Sequence, residues 1–144
     1  MPQLDSCHPQ VVAALGKAGW RVVVSPFRLE TSLNDLWVDI LLNRLSESGA
    51  EEIIVVEVKC FSDRTAQTYE LYVAIGQYLV YRELLIANGI DRPLYLTIPT
   101  QAFYGIFEAI GLAVAIKTQM KLIVIDLDKE EVTQWIESFE KKSP

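Results

Sequence analysis

The chain has 144 residues, of which 51% are hydrophobic and 22% charged, with a formal net charge of −6. This composition excludes a disordered chain, and the acidic balance argues against strong non-specific nucleic-acid binding, which needs a basic excess. The sequence has neither the roughly 20 apolar residues of a membrane span nor a secretory leader, and two cysteines cannot build a disulfide framework. We therefore predict one domain over residues 1–144 in a reduced, cytoplasmic protein without membrane association.

The predicted elements begin with a helix and three strands. A helix over 9–18 has apolar residues at helical spacing and ends at Gly19. Strands follow at 21–25, 36–41 and 53–60, with a loop after the first and a turn after the second. The third strand is rich in β-branched residues and apolar on both faces, which indicates a central position in the sheet.

The second half of the chain alternates helices with strands. The predicted elements are a helix over 65–88, a strand over 94–98, a mostly helical segment over 101–120 with candidate breaks at Gly105 and Gly111, a strand over 122–126 and a helix over 129–140. Three consecutive strands suggest an antiparallel meander, and a strand reached through a long helix can pair in parallel. The predicted fold class is therefore α/β, with a central mixed sheet flanked by helices.

Charged residues interrupt two of the apolar strands. Residues two apart point to the same side of a strand, so Glu57 and Lys59 share one face. Asp39 repeats the anomaly in the preceding strand, although aspartate is disfavoured there. Burying a charge is costly unless it is paired or bound to a metal. If the two strands are neighbours, two carboxylates and one ammonium can converge.

Such a group has a chemical use. Asp39, Glu57 and the Val58 carbonyl can form an oxygen site for Mg²⁺ or Mn²⁺, which lowers the pKa of a bound water and clamps a phosphate oxygen. Lys59 can orient that water and offset charge at the phosphate. The alternative is a solvated strand face whose ion pair contributes about 0–1 kcal/mol.

Two helical residues are candidates for a supporting role. Gln77 and Tyr81 lie one turn apart on the 65–88 helix, so both can face the sheet and hydrogen-bond to Lys59. The alternative places Tyr81 in the core and leaves Gln77 partly exposed. His8 is the chain's single histidine and is interpreted as structural, with a site role left open.

The remaining polar candidates have plainer interpretations. Asp126 and Asp128 are expected at a polar turn, Cys60 is expected to be a buried thiol, and Trp135 is expected in the core. Three arginines could contact phosphates, but scattered arginines are usually solvent charges: Arg28, Arg64 and Arg82.

Asp39 followed by Glu57-Val58-Lys59 resembles the Asp…Glu-x-Lys signature of the restriction-endonuclease-like, or PD-(D/E)XK, nucleases. The order helix, three strands, helix, strand is similar to the core of that fold, and Gln77 with Tyr81 resembles a motif of several of its branches. The sequence is also similar to the XisH proteins of cyanobacteria, controlling factors for excision of the fdxN element. The similar residues are His8, 12–15, 19–20, 38–39, 56–61, 76–78, 81–82, 94–96 and Pro99.

The resemblance implies a function in DNA-element excision during heterocyst differentiation. It implies DNA, a site-specific recombinase and a small XisI companion as partners, and it leaves a homodimer open. Two departures stand out. Cys60 replaces the serine usual in the family, and no acidic residue occurs between Asp5 and Glu30, where many such nucleases have a first-helix glutamate. Gln10 is the nearest polar residue, so the metal site could be weaker or limited to one ion.

Three functional hypotheses remain open. The first is a metal-dependent endonuclease that uses Asp39, Glu57, Lys59 and Gln77. The second is an accessory factor that assists a recombinase without cutting DNA, which the net charge and the first helix favour. The third is a nuclease-type toxin neutralised by its companion. The accessory role follows from the closer resemblance and is the function we expect.

Overall fold

The computed structural model of the chain describes residues 6–139, so residues 1–5 and 140–144, including residue 140 of the predicted final helix, lie outside the described residues. The helices are α1 (His8–Lys17), α2 (Gln67–Ala87), α3 (Thr100–Ala102) and α4 (Leu112–Thr118), with a π-helical segment (Phe103–Gly111) joining the last two. The strands are β1 (Arg21–Val24), β2 (Phe27–Leu29), β3 (Leu36–Val38), β4 (Ile40–Leu45), β5 (Glu51–Val58), β6 (Leu94–Pro99), β7 (Leu122–Asp126) and β8 (Glu131–Ile136).

Six of the strands form one mixed sheet in the order β1-β4-β5-β6-β7-β8. β1, β4 and β5 are antiparallel neighbours, β5, β6 and β7 are parallel, and β8 returns antiparallel to β7. β2 and β3 pair separately. The predicted meander, the parallel pairing through α2 and the interior position of β5 are therefore confirmed. No helix in residues 6–139 is long and apolar enough to cross a membrane.

Apolar side chains cover both faces of the sheet. One buried cluster joins α2 and the 103–118 segment to the sheet and includes Val55 of β5. The other joins α1 and β8 to the opposite face and includes Val56. Since side chains alternate along a strand, Glu57 lies on the α2 face with Val55. The end of β5 therefore directs a carboxylate into the space beneath α2.

The predicted helix over 129–140 is wrong, because this segment forms β8. The chain reverses in a tight turn, where the Lys129 N–H donates to Asp126 Oδ1 at 3.0 Å. Trp135 then packs on Trp20 and Tyr95 from the opposite side of the sheet. The apolar spacing of this segment suits a helix, but the free edge of β7 offers backbone hydrogen bonds that a strand can satisfy. The predicted polar turn at Asp126 is confirmed.

The strand predicted over 36–41 is interrupted at Asp39, which lies between β3 and β4. The break directs β3 away from the main sheet and into a pairing with β2. The predicted loop over 26–35 is therefore wrong in part, because its first residues form β2. β2 has only three residues, one of them polar, so its alternation of apolar and polar residues is too short to identify a strand from sequence.

The two glycines of the 100–118 segment have different roles. Gly105 has φ −100° and ψ −106°, so the predicted break is confirmed there. Gly111 is helical, with φ −80° and ψ −22°, so the predicted break is wrong. A Cβ at Gly111 would lie 3.0 Å from Phe107 Cδ2 and 3.2 Å from Leu71 Cδ1. Gly111 thus allows close packing of the segment on α2.

Alanine substitutions at two helical glycines should have opposite effects on stability. Gly76→Ala on α2 meets no atom within 4 Å, so it should stabilise the protein by about 0.5–1 kcal/mol through helix propensity. Gly111→Ala must displace Phe107 or Leu71 and should destabilise it by about 1 kcal/mol. Urea unfolding of both variants measures the difference. Equal stabilisation by both substitutions would contradict the close packing at Gly111.

The expectation of reduced cysteines is wrong, because Cys7 and Cys60 form a disulfide with a Cα–Cα distance of 5.7 Å. Cys60 is therefore not the buried thiol predicted from sequence. The residues are 53 positions apart, and only the packing of the start of α1 against the end of β5 brings them together. The disulfide joins α1 to the residue that follows Lys59.

Candidate functional site

The carboxyl groups of Asp39 and Glu57 meet where β4 begins and β5 ends. The β4–β5 register pairs Ile40 with Val56, which places Asp39 opposite Glu57. The Asp39 N–H donates to Glu57 Oε1 at 3.2 Å, and the Val58 N–H donates to Asp39 Oδ2 at 2.7 Å. Each carboxyl group thus accepts a hydrogen bond from the opposing strand, and the predicted convergence is present.

Lys59 completes the cluster from the same face of the chain. Its Nζ lies 3.7 Å from Glu57 Oε2, and the exposed fractions of the two side chains are 18% and 5%. A solvated strand face does not have such burial, so the simpler interpretation of the Glu-x-Lys pattern does not hold. The result is two carboxyl groups and one ammonium group in a largely desolvated position.

Two hydroxyl residues that we did not predict support the backbone of the cluster. Ser25 Oγ donates to the Asp39 carbonyl at 2.9 Å, and Thr97 Oγ1 donates to the Glu57 carbonyl at 3.3 Å. The Thr97 carbonyl in turn accepts the Lys59 N–H at 3.1 Å. Thr97 is fully buried in an otherwise apolar strand. That polar interruption is the signal that could have identified it.

The electrostatics of the cluster follow from its burial. Burial raises the pKa of Glu57 to about 9, with the neighbouring charge of Asp39 acting in the same direction and Lys59 against it. Burial likewise raises the pKa of Tyr81 to about 12, with further contributions from Glu57 and Asp39. Tyr81 therefore lies within electrostatic range of both carboxyl groups. Without a cation, the raised pKa favours the protonated form of Glu57.

The other helical candidates are not bonded to Lys59. Gln77 Oε1 is buried and accepts no hydrogen bond from the part of the chain that the structure describes. His8 is the buried first residue of α1, and its Nδ1 is likewise unpartnered among residues 6–139. The predicted hydrogen bonds from Gln77 and Tyr81 to Lys59 are therefore not observed. The alternative interpretation is confirmed, since Tyr81 is buried in the core and Gln77 is partly exposed.

The arginines named from sequence serve local structure. Arg28 pairs with Glu30 and Asp35, and Arg82 donates to the Thr118 carbonyl at 2.7 Å. Arg64 is exposed in the turn before α2. Among the described residues, none of these arginines forms an ion pair with Asp39 or Glu57. The cationic group beside the carboxyl pair is Lys59.

The donor set at the cluster fits one hard cation. Mg²⁺ commonly takes one or two carboxylates and keeps several waters, which Asp39, Glu57 and the Val58 carbonyl can accommodate. No group of three or more histidine, cysteine, aspartate or glutamate side chains that could hold a metal occurs within residues 6–139. α1 likewise offers no acidic side chain. The oxygen donors of the cluster are therefore two carboxyl groups and one backbone carbonyl.

Comparisons with known proteins agree on one family. The model of the XisH protein family matches residues 1–133. An XisH family protein from Nostoc punctiforme PCC 73102 is 31% identical, with a TM-score of 0.80 over 92% of this chain and 99% of that chain. An fdxN element excision controlling factor protein from Anabaena variabilis is 30% identical, with a TM-score of 0.78 and the same coverage. No curated protein matches the sequence.

Proposed function

Because the chain belongs to the XisH family, we propose that it is an accessory factor that controls the excision of a DNA element. The observation that carries the proposal is its similarity, over 92% of its length, to the protein from Anabaena variabilis named for control of fdxN element excision. The proposed partners are the element's DNA, a site-specific recombinase and a small XisI-type companion. The proposed setting is the cytoplasm of a cyanobacterial cell during heterocyst differentiation.

The proposal includes a restriction-endonuclease-like fold, assigned to the PD-(D/E)XK superfamily. Three observations support this assignment. One helix precedes the β1-β4-β5 meander, α2 leads into the parallel strand β6, and the acidic pair lies where β4 and β5 meet. In a fold of this kind, the phosphodiester backbone of bound DNA would lie beside the carboxyl pair. The acidic net charge then requires that DNA contact be local rather than spread over the surface.

Asp39, Glu57 and the Val58 carbonyl are the proposed ligands of one Mg²⁺ or Mn²⁺. When bound, the ion would supply Lewis-acid polarisation of a phosphate and an acidified water. Glu57 must release its proton before it can bind a cation, because its pKa is about 9 in the metal-free protein. The Val58 N–H keeps Asp39 Oδ2 in place at 2.7 Å, which leaves the other carboxylate oxygen for a ligand.

Lys59 is the proposed contact for the phosphate or the attacking water. Its ammonium group is held near Glu57 Oε2, so it enters the site without a change of strand register. Tyr81 places a neutral hydroxyl near the carboxyl groups, since burial keeps its pKa at about 12. Gln77 offers a buried amide oxygen without a donor among residues 6–139, and it is the proposed second positioning group.

The test is an excision assay in a host that lacks the element. A plasmid carrying the element is combined with its recombinase and companion, with or without this chain, and the rejoined junction is amplified. Excision should require the chain. If the carboxyl cluster takes part in excision, Lys59→Ala should reduce junction formation at least tenfold, whereas Lys117→Ala, an exposed lysine of α4, should leave it unchanged. Excision without the chain would refute the accessory role.

A second candidate function is an active endonuclease, favoured by the desolvated position of Lys59 beside the two carboxyl groups. Supercoiled plasmid incubated with the purified protein and Mn²⁺ would be nicked by wild type and spared by Glu57→Gln. Growth arrest on expression of the chain alone, relieved by its companion, would instead identify a toxin. If the Glu57→Gln variant still supported excision, the accessory role would stand and the proposed metal site would not be needed for it.

A further inference from the structure

A cavity of about 300 Å³ lies on the face of the sheet opposite α2. Three aromatic rings contribute to it. Trp135 stacks on Trp20 with ring centroids 5.7 Å apart and an interplanar angle of 7°, and Tyr95 lies tilted against Trp135 at 4.9 Å. Glu52, which also lines the cavity, precedes Glu57 by five residues, or roughly 16 Å of extended strand. The cavity is therefore separate from the carboxyl cluster.

One guanidinium group already occupies part of this aromatic surface. The Arg44 guanidinium lies 4.5 Å from the centroid of the Trp20 ring, and its Nε is 3.0 Å from Glu52 Oε2. A ring face and a carboxylate thus hold a planar cation together, which is the arrangement expected for cation–π binding supported by an ion pair. The cavity therefore already accommodates one guanidinium group between an aromatic ring and a carboxylate.

A second carboxylate, that of Glu137, also lines the cavity. Glu137 lines the cavity beside Tyr95 and Trp135 and is exposed. Burial raises the pKa of Tyr95, and the nearby Glu137 carboxylate raises it further. Lys121 donates to the backbone oxygen of Glu137 at 3.0 Å, whereas the Glu137 carboxylate forms no ion pair among residues 6–139. Aromatic rings and a carboxylate that forms no ion pair within the described residues therefore line the same cavity.

We propose that this cavity binds an arginine side chain of a basic partner polypeptide. The incoming guanidinium would lie against Trp135 and Tyr95 and pair with Glu137, as Arg44 does with Trp20 and Glu52. The chain's net charge of −6 would favour the approach of a basic partner. The inference does not depend on metal binding or DNA cleavage, because Asp39 and Glu57 take no part in it.

Nuclear magnetic resonance of the indole N–H groups tests the proposal on the full chain. The probe is N-acetyl-arginine amide, compared with N-acetyl-citrulline amide, which has similar shape and no charge. We expect saturable shifts for Trp20 and Trp135, with Trp37 as the internal reference. Citrulline amide should bind at least about tenfold more weakly than arginine amide, since it lacks the charge that both contacts need.

Two matched variants assign the binding to Glu137. Glu137→Gln should weaken arginine amide binding by about five- to tenfold, whereas Glu131→Gln, an equal charge change at an exposed position of β8, should leave it within about twofold. Both substitutions are at the surface and should preserve the fold. No saturable shift, equal binding of the citrulline probe, or equal binding by Glu137→Gln would each overturn the proposal.

Discussion

Replacing Asp39 with asparagine is expected to weaken Mn²⁺ binding by about a hundredfold or more, equivalent to roughly 2.7 kcal/mol. The reason is that Asp39 and Glu57 are the two carboxyl groups that converge at the β4–β5 junction, so the substitution removes half of the anionic donors. Asparagine retains an oxygen that can accept the Val58 N–H, so the local backbone should persist. Isothermal titration calorimetry with Mn²⁺ and Mg²⁺ measures the change.

The matched control for this experiment is Asp128→Asn. Asp128 is exposed in the turn between β7 and β8, so its replacement makes the same charge change away from the cluster. Its Mn²⁺ affinity should equal that of wild type. If Asp39→Asn bound Mn²⁺ as tightly as Asp128→Asn, the carboxyl pair would not be the metal site. Thermal unfolding followed by circular dichroism should confirm that both variants fold.

The free energy of unfolding in chelator is expected to fall by about 1 kcal/mol per pH unit between about pH 6 and pH 8. The pKa of Glu57 rises from 4.5 to about 9 on folding. Above about pH 4.5 the unfolded chain releases this proton while the folded chain retains it up to about pH 9. The folded state therefore binds more protons in this window, and stability decreases as pH rises.

Glu57→Gln isolates this contribution from all other titrating groups. Glutamine resembles the protonated glutamate, so the variant should match wild type near pH 5 and become the more stable protein at pH 8. Urea unfolding at each pH gives the difference, with Glu131→Gln as the exposed control. A wild-type stability that rises relative to Glu57→Gln between pH 6 and pH 8 would show that Glu57 is not held protonated in the folded protein.

These two expectations combine in metal binding. A cation at Glu57 must displace the proton that burial stabilises, so Mn²⁺ affinity should increase with pH while the stability of the metal-free protein decreases. The buried glutamate is thus destabilising above pH 4.5 without a cation. Such a cost is typical of a group retained for binding rather than for folding.

The residues of the cluster were predictable because their signal is local. Strand alternation places Glu57 and Lys59 on one face, and charges in apolar strands are rare enough to single out Asp39. The convergence of Asp39 with Glu57 also required the antiparallel pairing of β4 and β5, in which Ile40 lies opposite Val56. A short turn between consecutive strands made that pairing the natural prediction. Thr97, which comes from a strand beyond α2, lacked any such local link.

Local pattern also explains the wrong prediction at the end of the chain. Val132, Trp135 and Ile136 have helical spacing, yet the segment pairs with β7, where Trp135 meets Trp20 across more than a hundred residues of sequence. The periodicity of one segment contains no information about the unpaired backbone groups of a neighbouring edge strand. Pairing with those groups makes residues 131–136 a strand rather than a helix. The aromatic cavity formed by this pairing could not be predicted from the local sequence pattern, because its residues come from distant segments.

By itself, the sequence determined the position of most elements, the shared face of Glu57 and Lys59, and the family resemblance, since these depend on residues close together in the chain. Only the tertiary structure decided the Cys7–Cys60 disulfide, the strand at 131–136 and the burial that raises the pKa of Glu57. Each of these results from contact between distant segments, and the free energy of such contacts depends on the packed environment rather than on local spacing.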